Sequence, residues 1–196
     1  MTVFVLWEDS AISPVAKFGP HVFLIACVAA RLGTNRYELA RSERIDGRPC
    51  AGNSKLFLEL KRGPLWDSGA HVVAVLDTDE IHDRLPGIPA RRTITDAHYG
   101  PWRDSVVTEV RKRAPEPAQH RLDICMLDAN LETLLSLIGR GAGGLDDALR
   151  KDRLHRDKLL HRAASDEELV RRACAQMPSW DQLVATVARI LSAPST

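Results

Sequence analysis

The segment Val72-Val73-Ala74-Val75-Leu76-Asp77-Thr78-Asp79 constrains this chain more than any other. It is a short apolar run, rich in β-branched residues, preceded by Gly69 and ended by two carboxylates one residue apart. Such a run reads as a strand buried on both faces of a parallel sheet. Side chains at i and i+2 of an extended chain point the same way, so Asp77 and Asp79 are expected to face one spot beyond the strand's carboxyl end. In open α/β sheets that edge is where ligands bind. Two hard oxygen donors there suit Mg²⁺ or Mn²⁺.

The rest of the chain supplies a sheet for that strand. Val3 to Trp7 reads as a first strand, closed by Glu8-Asp9-Ser10. Gly19-Pro20 opens an apolar helix through Leu32, with Gly33 as its C-cap. Arg36 to Ile45 is expected to be a second strand of poor alternation, and Ser54 to Lys61 a short helix ended by Gly63-Pro64. Ile81 to Tyr99, rich in Pro, Gly and Arg, reads as a long loop, and Trp102 to Arg113 as a helix stopped by Ala114-Pro115-Glu116-Pro117. Arg121 to Leu127 is a fourth strand and Asn130 to Ile138 a helix. The glycine-rich break from Gly139 to Gly144 precedes three candidate helices, Leu145 to Leu160, Asp166 to Met177, and one from Pro178 onward. Alternating strands and helices predict a small parallel, Rossmann-like sheet of about four strands with helices on both faces. Residues 1–140 are expected to form that α/β domain and 141–196 a helical extension packed on it.

Bulk properties narrow the function classes. The 196 residues carry a net charge of +1, so the molecule as a whole does not attract polyanions, and any nucleic-acid contact must come from local patches. Aromatics make up 5%, too few for a surface that stacks many unpaired bases. Cys27, Cys50, Cys125 and Cys174 show no CxxC or Cys/His zinc spacing, and Cys27 and Cys125 sit in apolar runs as expected for buried thiols. Reduced thiols fit the cytoplasm. Met1 to Trp7 lacks a basic region before its apolar residues and is not read as a signal peptide, and Val22 to Ala30 is too short to span a bilayer, so no membrane partner is expected.

Three expected strand ends carry acids: Glu8, the Asp77/Asp79 pair, and Asp128-Ala129-Asn130-Leu131-Glu132, in which Glu132 falls in the first turn of the next helix. Parallel strands present all of them at one edge. Each acid alone is explained as a helix cap or first-turn residue. Together they would repel and raise one another's pKa unless a cation neutralised them, and one or two divalent metals are the economical explanation.

Glu8-Asp9-Ser10, Leu76-Asp77-Thr78-Asp79 and Asn130-Leu131-Glu132-Thr133-Leu134-Leu135 resemble the motifs of the TOPRIM-like fold, in particular those of OLD-type nucleases and small stand-alone bacterial TOPRIM-like proteins. The resemblance covers about the first two thirds of the chain. It implies Mg²⁺-dependent cleavage or transfer at DNA or RNA phosphodiesters, with Glu8, Asp77, Asp79 and Glu132 as metal-binding and catalytic residues and Asn130 or Asp128 as a helper. OLD-type sites also use a lysine. Lys55, Lys151 and Lys158 are available and the sequence does not choose among them, although Lys158 is carried in the expected catalytic set. Stand-alone relatives often lie beside an ATPase in phage-defence loci, so the resemblance also implies an ATPase partner. One departure is Asp9, where the superfamily usually has Gly.

Substrate contacts are expected from Arg91 and Arg92 in the loop after Asp79, from Lys55, and from Asn130. Arg150, Arg153 and Lys158 would share one helix face that could track phosphates, or the segment is a solvated helix with pairs of the Asp152–Arg156 type. Gly52-Asn53-Ser54-Lys55 resembles a phosphate-cradling turn but lacks the P-loop pattern. His82 and His98 fall in the loop after Asp79, where lone histidines are usually incidental. The expectation is therefore a divalent-metal-dependent nuclease or nuclease subunit. Two alternatives stand beside it: a non-catalytic binding or regulatory subunit of the same fold, and a phosphohydrolase acting on small nucleotides. The C-terminal stripe of Trp180, Leu183, Val187 and Ile190 is either core or a docking face for the partner.

Overall fold

The computed structural model describes residues 2–9, 18–79, 81–127, 130–139 and 153–193. Four strands form one sheet in the order β2-β1-β3-β4, with every neighbour parallel: β1 Val3–Trp7, β2 Ile45–Pro49, β3 His71–Asp77 and β4 Leu122–Leu127. The α/β architecture expected from the sequence is present, with helices on both faces. Strand period sorts the core. Val3, Val5, Trp7, Val73, Val75, Cys125 and Leu127 go into one apolar cluster, while Leu6, Val72, Ala74, Leu76, Leu122, Ile124 and Met126 go into the other.

The first face is covered by α1 (Gly19–Leu32), α2 (Arg36–Arg41), α6 (Asn130–Gly139), α7 (Arg153–Ala163), α8 (Glu167–Gln176) and α9 (Pro178–Ser192). The second is covered by α3 (Asn53–Lys61), α4 (Gly63–Asp67), a 3₁₀ turn at Ile81–Arg84 and α5 (Asp96–Arg111). Residues 153–193 therefore complete one face of the core. The expected domain boundary, near 140, lies outside the described residues. The Trp180 stripe is core: Trp180, Leu183, Val187 and Ile190 are buried against α1 and the sheet, and Arg189 of α9 reaches Asp123 of β4 at 3.0 Å. The alternative of an exposed docking stripe is thereby corrected. Among the described residues no helix is long and apolar enough to cross a membrane.

Two further expectations are corrected. Arg36 to Ile45 is not a strand. Asn35 accepts hydrogen bonds from the Tyr37 and Glu38 N–H groups as an N-cap and starts α2, and the second strand begins only at Ile45. Its sequence, Ile45-Asp46-Gly47-Arg48-Pro49, is poor in strand formers but suits an edge strand, where charge and proline discourage further pairing. Nor is Ile81 to Tyr99 a continuous loop. It contains the 3₁₀ turns Ile81–Arg84 and Arg91–Thr93, and α5 starts at Asp96, six residues before the expected start. Pro101 inside α5 removes one backbone hydrogen bond, but Trp102, Val106 and Val110 on the buried face hold the helix in place.

Two glycines mark close approaches. A Cβ at Gly19 would lie 2.8 Å from the Asp157 Cα and 2.9 Å from the Leu160 Cβ, so α7 packs directly on the start of α1. A Cβ at Gly47 would lie 2.4 Å from His21 Nδ1, so the buried imidazole occupies the space that a side chain on β2 would fill.

Candidate functional site at the carboxyl edge

Strand order reverses between β1 and β3, because the chain leaves β1 for β2 on one side and then crosses to β3 and β4 on the other. A crevice is expected outside the carboxyl ends at such a switch point. Register aligns Trp7 with Val75, so Glu8 follows one strand of this junction and Asp77 ends the other.

Backbone bonds draw the acids together there. The Asp77 N–H donates to Glu8 Oε2 at 2.8 Å. The Glu8 N–H donates to the Val75 carbonyl at 3.2 Å, and the Glu8 carbonyl accepts from Gly52 N–H. The Asp79 N–H donates to Asp77 Oδ1 at 3.1 Å, which folds residues 77–79 into an Asx turn. Thr78, buried between the two aspartates, donates to the Leu127 carbonyl of β4 at 3.4 Å. Glu8 and Asp77 are half-buried and Asp79 is exposed. Each bonded carboxylate oxygen keeps a second lone pair, so capping an N–H does not exhaust it as a ligand.

The turn beside Glu8 is also fixed. Asp9 accepts a bond from Ala51 N–H on its carbonyl at 3.1 Å, and its carboxylate pairs with Arg156 of α7 at 2.6 Å, with side-chain exposures of 19% and 10%. Ala51, next to Gly52, lies in the left-handed region at φ 57°. A non-glycine residue held there stores strain, a feature that concentrates at functional sites. Asp157, adjacent to Arg156, accepts from Gly19 N–H at 3.0 Å and so caps α1 from α7. Burial pushes the Asp157 carboxyl up, opposed by that bond and by Arg156. Beneath the site Trp7 stacks on Trp180 with ring centroids 6.2 Å apart and meets Phe18 edge-on at 5.8 Å.

The other expected site residues are placed less decisively. Asn130 and Glu132 lie in the first turn of α6, directly after β4, but their side chains are outside the described residues, as are Asp128, Arg150, Lys151 and Asp152. Lys55 is exposed in the first turn of α3, which follows β2 at the same edge, and Lys158 is exposed on α7. Arg91 is turned to local use: its guanidinium lies 4.5 Å from the Tyr99 ring centroid and donates to the Ile94 carbonyl at 3.0 Å. Arg92 is exposed. His82 pairs with Asp83, and His98 Nδ1 bonds to Thr95 Oγ1.

Sequence reasoning missed Arg156 and Asn53. Arg156 pairs with Asp9 across the fold, and among the described residues its Nε and Nη2 find no hydrogen-bond partner. The departure at Asp9 was the available signal, since a carboxylate there can pair with a cation from elsewhere in the fold. Asn53, 5% exposed at the start of α3, leaves its Oδ1 without a partner among the described residues.

A divalent cation fits this donor set in kind. Mg²⁺ takes oxygen ligands, keeps several waters and needs only one or two carboxylates. Glu8, Asp77 and Asp79 would hold it, although among the described residues no group of three Asp, Glu, His or Cys side chains is already arranged as a metal site. No family model, no curated protein and no solved structure matches the chain.

Proposed function

We propose that this protein is a divalent-metal-dependent phosphodiester hydrolase, a nuclease or nuclease subunit, with its site at the β1/β3 carboxyl edge. The observation that carries the reading is the Asp77 N–H to Glu8 Oε2 bond, which joins acids 69 residues apart in sequence at the topological switch point. The resemblance of the same residues to TOPRIM-like motifs supports it independently of the geometry. In this reading Glu8 and Asp77 are the metal ligands and Asp79 the adjoining one, with Glu132 completing the set from α6. A bound Mg²⁺ or Mn²⁺ would supply Lewis acidity at a phosphate oxygen and lower the pKa of its water. The protein's own contribution is orientation. The Asx turn sets Asp77 against Asp79, and the Asp9–Arg156 ion pair holds the Glu8 turn. Lys55 and Arg92 are exposed cations for substrate phosphates. The ATPase partner and the phage-defence setting rest on the resemblance alone.

A second reading, a non-catalytic binding module, is favoured by one observation: the Glu8 and Asp77 carboxylates each satisfy a backbone N–H and so have a structural use. Incubation with Mn²⁺ and plasmid, linear duplex and single-stranded substrates separates the two. Metal-dependent cleavage that Asp77→Ala removes supports the hydrolase. Absence of cleavage on all substrates, with Mn²⁺ bound or not, favours the binding module.

A further inference from the structure

The turn from β2 into α3 lies against the Glu8–Asp9 turn. The Ala51 N–H donates to the Asp9 carbonyl at 3.1 Å, and the Gly52 N–H donates to the Glu8 carbonyl. α3 then begins with no side-chain cap and no acid in its first turn. The Gly52 carbonyl takes the N–H groups of Lys55 and Leu56, each at 3.1 Å. The N–H groups of Asn53 and Ser54 find no acceptor among the described residues. Open N–H groups and the positive end of the helix dipole both favour an anion.

A second observation at the same helix end points to a ligand. Asn53 is 5% exposed, and its Oδ1 has no partner among the described residues. Side chains on a helix tilt toward its N-terminus, so that of the first residue leans over the open end. Turning the amide over exchanges its oxygen for an NH₂ group, which adds two donors there. Leaving such a buried amide unsatisfied costs free energy, which a bound ligand would recover. Gly52 keeps the approach clear. Its φ of 111° suits glycine alone, and a Cβ on it would meet nothing within 4 Å. Ser54 and Lys55 are exposed in the same first turn and add a hydroxyl and an ammonium.

We propose that the start of α3 is a phosphate subsite, which takes the nucleic-acid phosphate next to the one held by the metal at Glu8 and Asp77. The identity of the substrate rests on the hydrolase reading, whereas capture of phosphate by these donors does not require the metal. The donors are the Asn53 and Ser54 N–H groups, the Asn53 amide, the Ser54 hydroxyl and the Lys55 ammonium. Each of them reads phosphate and none reads a base, so the subsite fixes the strand without regard to sequence. It lies on the β2 side of β1, and Asp77 lies on the β3 side. The bound strand therefore crosses the carboxyl edge from β2 toward β3.

The test is isothermal titration calorimetry of the full-length protein in EDTA. The probes are inorganic phosphate, thymidine 3′,5′-bisphosphate and unphosphorylated thymidine. The expected result is saturable binding of the first two and none of thymidine. Ser54→Asp puts a carboxylate where the helix dipole favours it, so the thermal midpoint should hold or rise. The same carboxylate occupies the subsite, and phosphate binding should fall by about tenfold or more, the worth of one hydrogen bond to a charged group. Leu58→Asp adds the same charge at an exposed position away from the start of α3 and should retain binding. Asn53→Ala should weaken binding, and the exposed Ser54 position keeps the test decisive if that variant fails to fold. Absence of saturable phosphate binding, thymidine binding as well as the bisphosphate, or equal losses in Ser54→Asp and Leu58→Asp would overturn the subsite. Metal-dependent cleavage would then still stand on its own assay. Phosphate binding that Ser54→Asp removes supports the subsite even where no substrate is cleaved.

Discussion

Glu8 is held by three backbone partners, Val75 and Asp77 of β3 and Gly52 before α3. Asp77→Ala should therefore abolish metal-dependent cleavage. The loss should exceed the roughly 10–100-fold that outer partners of metal ligands alone cost, and cleavage rates with Mn²⁺ measure it. His21 makes a prediction about stability. It is 5% exposed, and burial lowers its pKa to about 4 from 6.5. The unfolded chain then binds a proton below pH 6.5 that the folded chain refuses, so the contribution is whole above pH 6.5 and is lost as the pH falls towards 4. The loss reaches about 3 kcal/mol at most. His71, also lowered, acts in the same sense, and Asp157, raised, opposes it at the acid end. Urea titrations from pH 7.5 to pH 4.5 should show that slope, and His21→Leu should flatten it. Gly47→Ala should cost about 1–3 kcal/mol by overpacking against the same imidazole, read as a lower urea midpoint at unchanged slope. At this scale the position of Asp77 at a strand end was legible in the sequence because a buried apolar run stops there, whereas the Asx turn that follows it was not, since the expectation took residues 77–79 as extended. Arg156 was not legible either, because its partner Asp9 is remote and the nearer Asp152 offered a local pairing.

Among elements, the decisive contact is α7 on the Glu8–Asp9 turn. Its Arg156 and Asp157 serve the ends of β1 and α1 respectively. Removing Asp9 strands a buried guanidinium of which two nitrogens find no partner among the described residues, whereas removing Arg156 leaves a carboxylate that water can reach more easily. Asp9→Ala should therefore destabilise by about 3–5 kcal/mol, the cost of breaking a buried pair from one side, and Arg156→Met by less. Denaturant midpoints of the two variants check the order, and equal losses would show that the guanidinium is not the costly half. Elements whose own periodicity was strong, β1, β3, β4, α1 and α9, were readable from the sequence. The errors fall where tertiary context overrides composition. Ile45–Pro49 is a strand because β1 offers it a parallel partner, and α5 runs through Gly100 and Pro101 because Trp102 is buried.

At the scale of the whole molecule, charge and core set opposite expectations. A net charge of +1 leaves nucleic-acid affinity to a few exposed cations, so binding by this chain alone should be weak and should fall steeply with salt. Filter binding between 50 and 200 mM salt measures the slope, and Lys55→Ala with Arg92→Ala should reduce it. The two apolar faces, by contrast, were predictable in kind from the alternation of strands and helices. Which helices cover which face was not, because that depends on the strand order 2-1-3-4, which no local pattern encodes. That order places Glu8 beside Asp77, and the central claim is that this edge holds a divalent cation. The most direct measurement is a Mn²⁺ titration followed by electron paramagnetic resonance, comparing the wild type with Glu8→Gln/Asp77→Asn, a pair of near-isosteric changes. The account predicts saturable binding by the wild type and its loss in the folded double variant. Equal binding by both proteins, or none by the wild type, would contradict it.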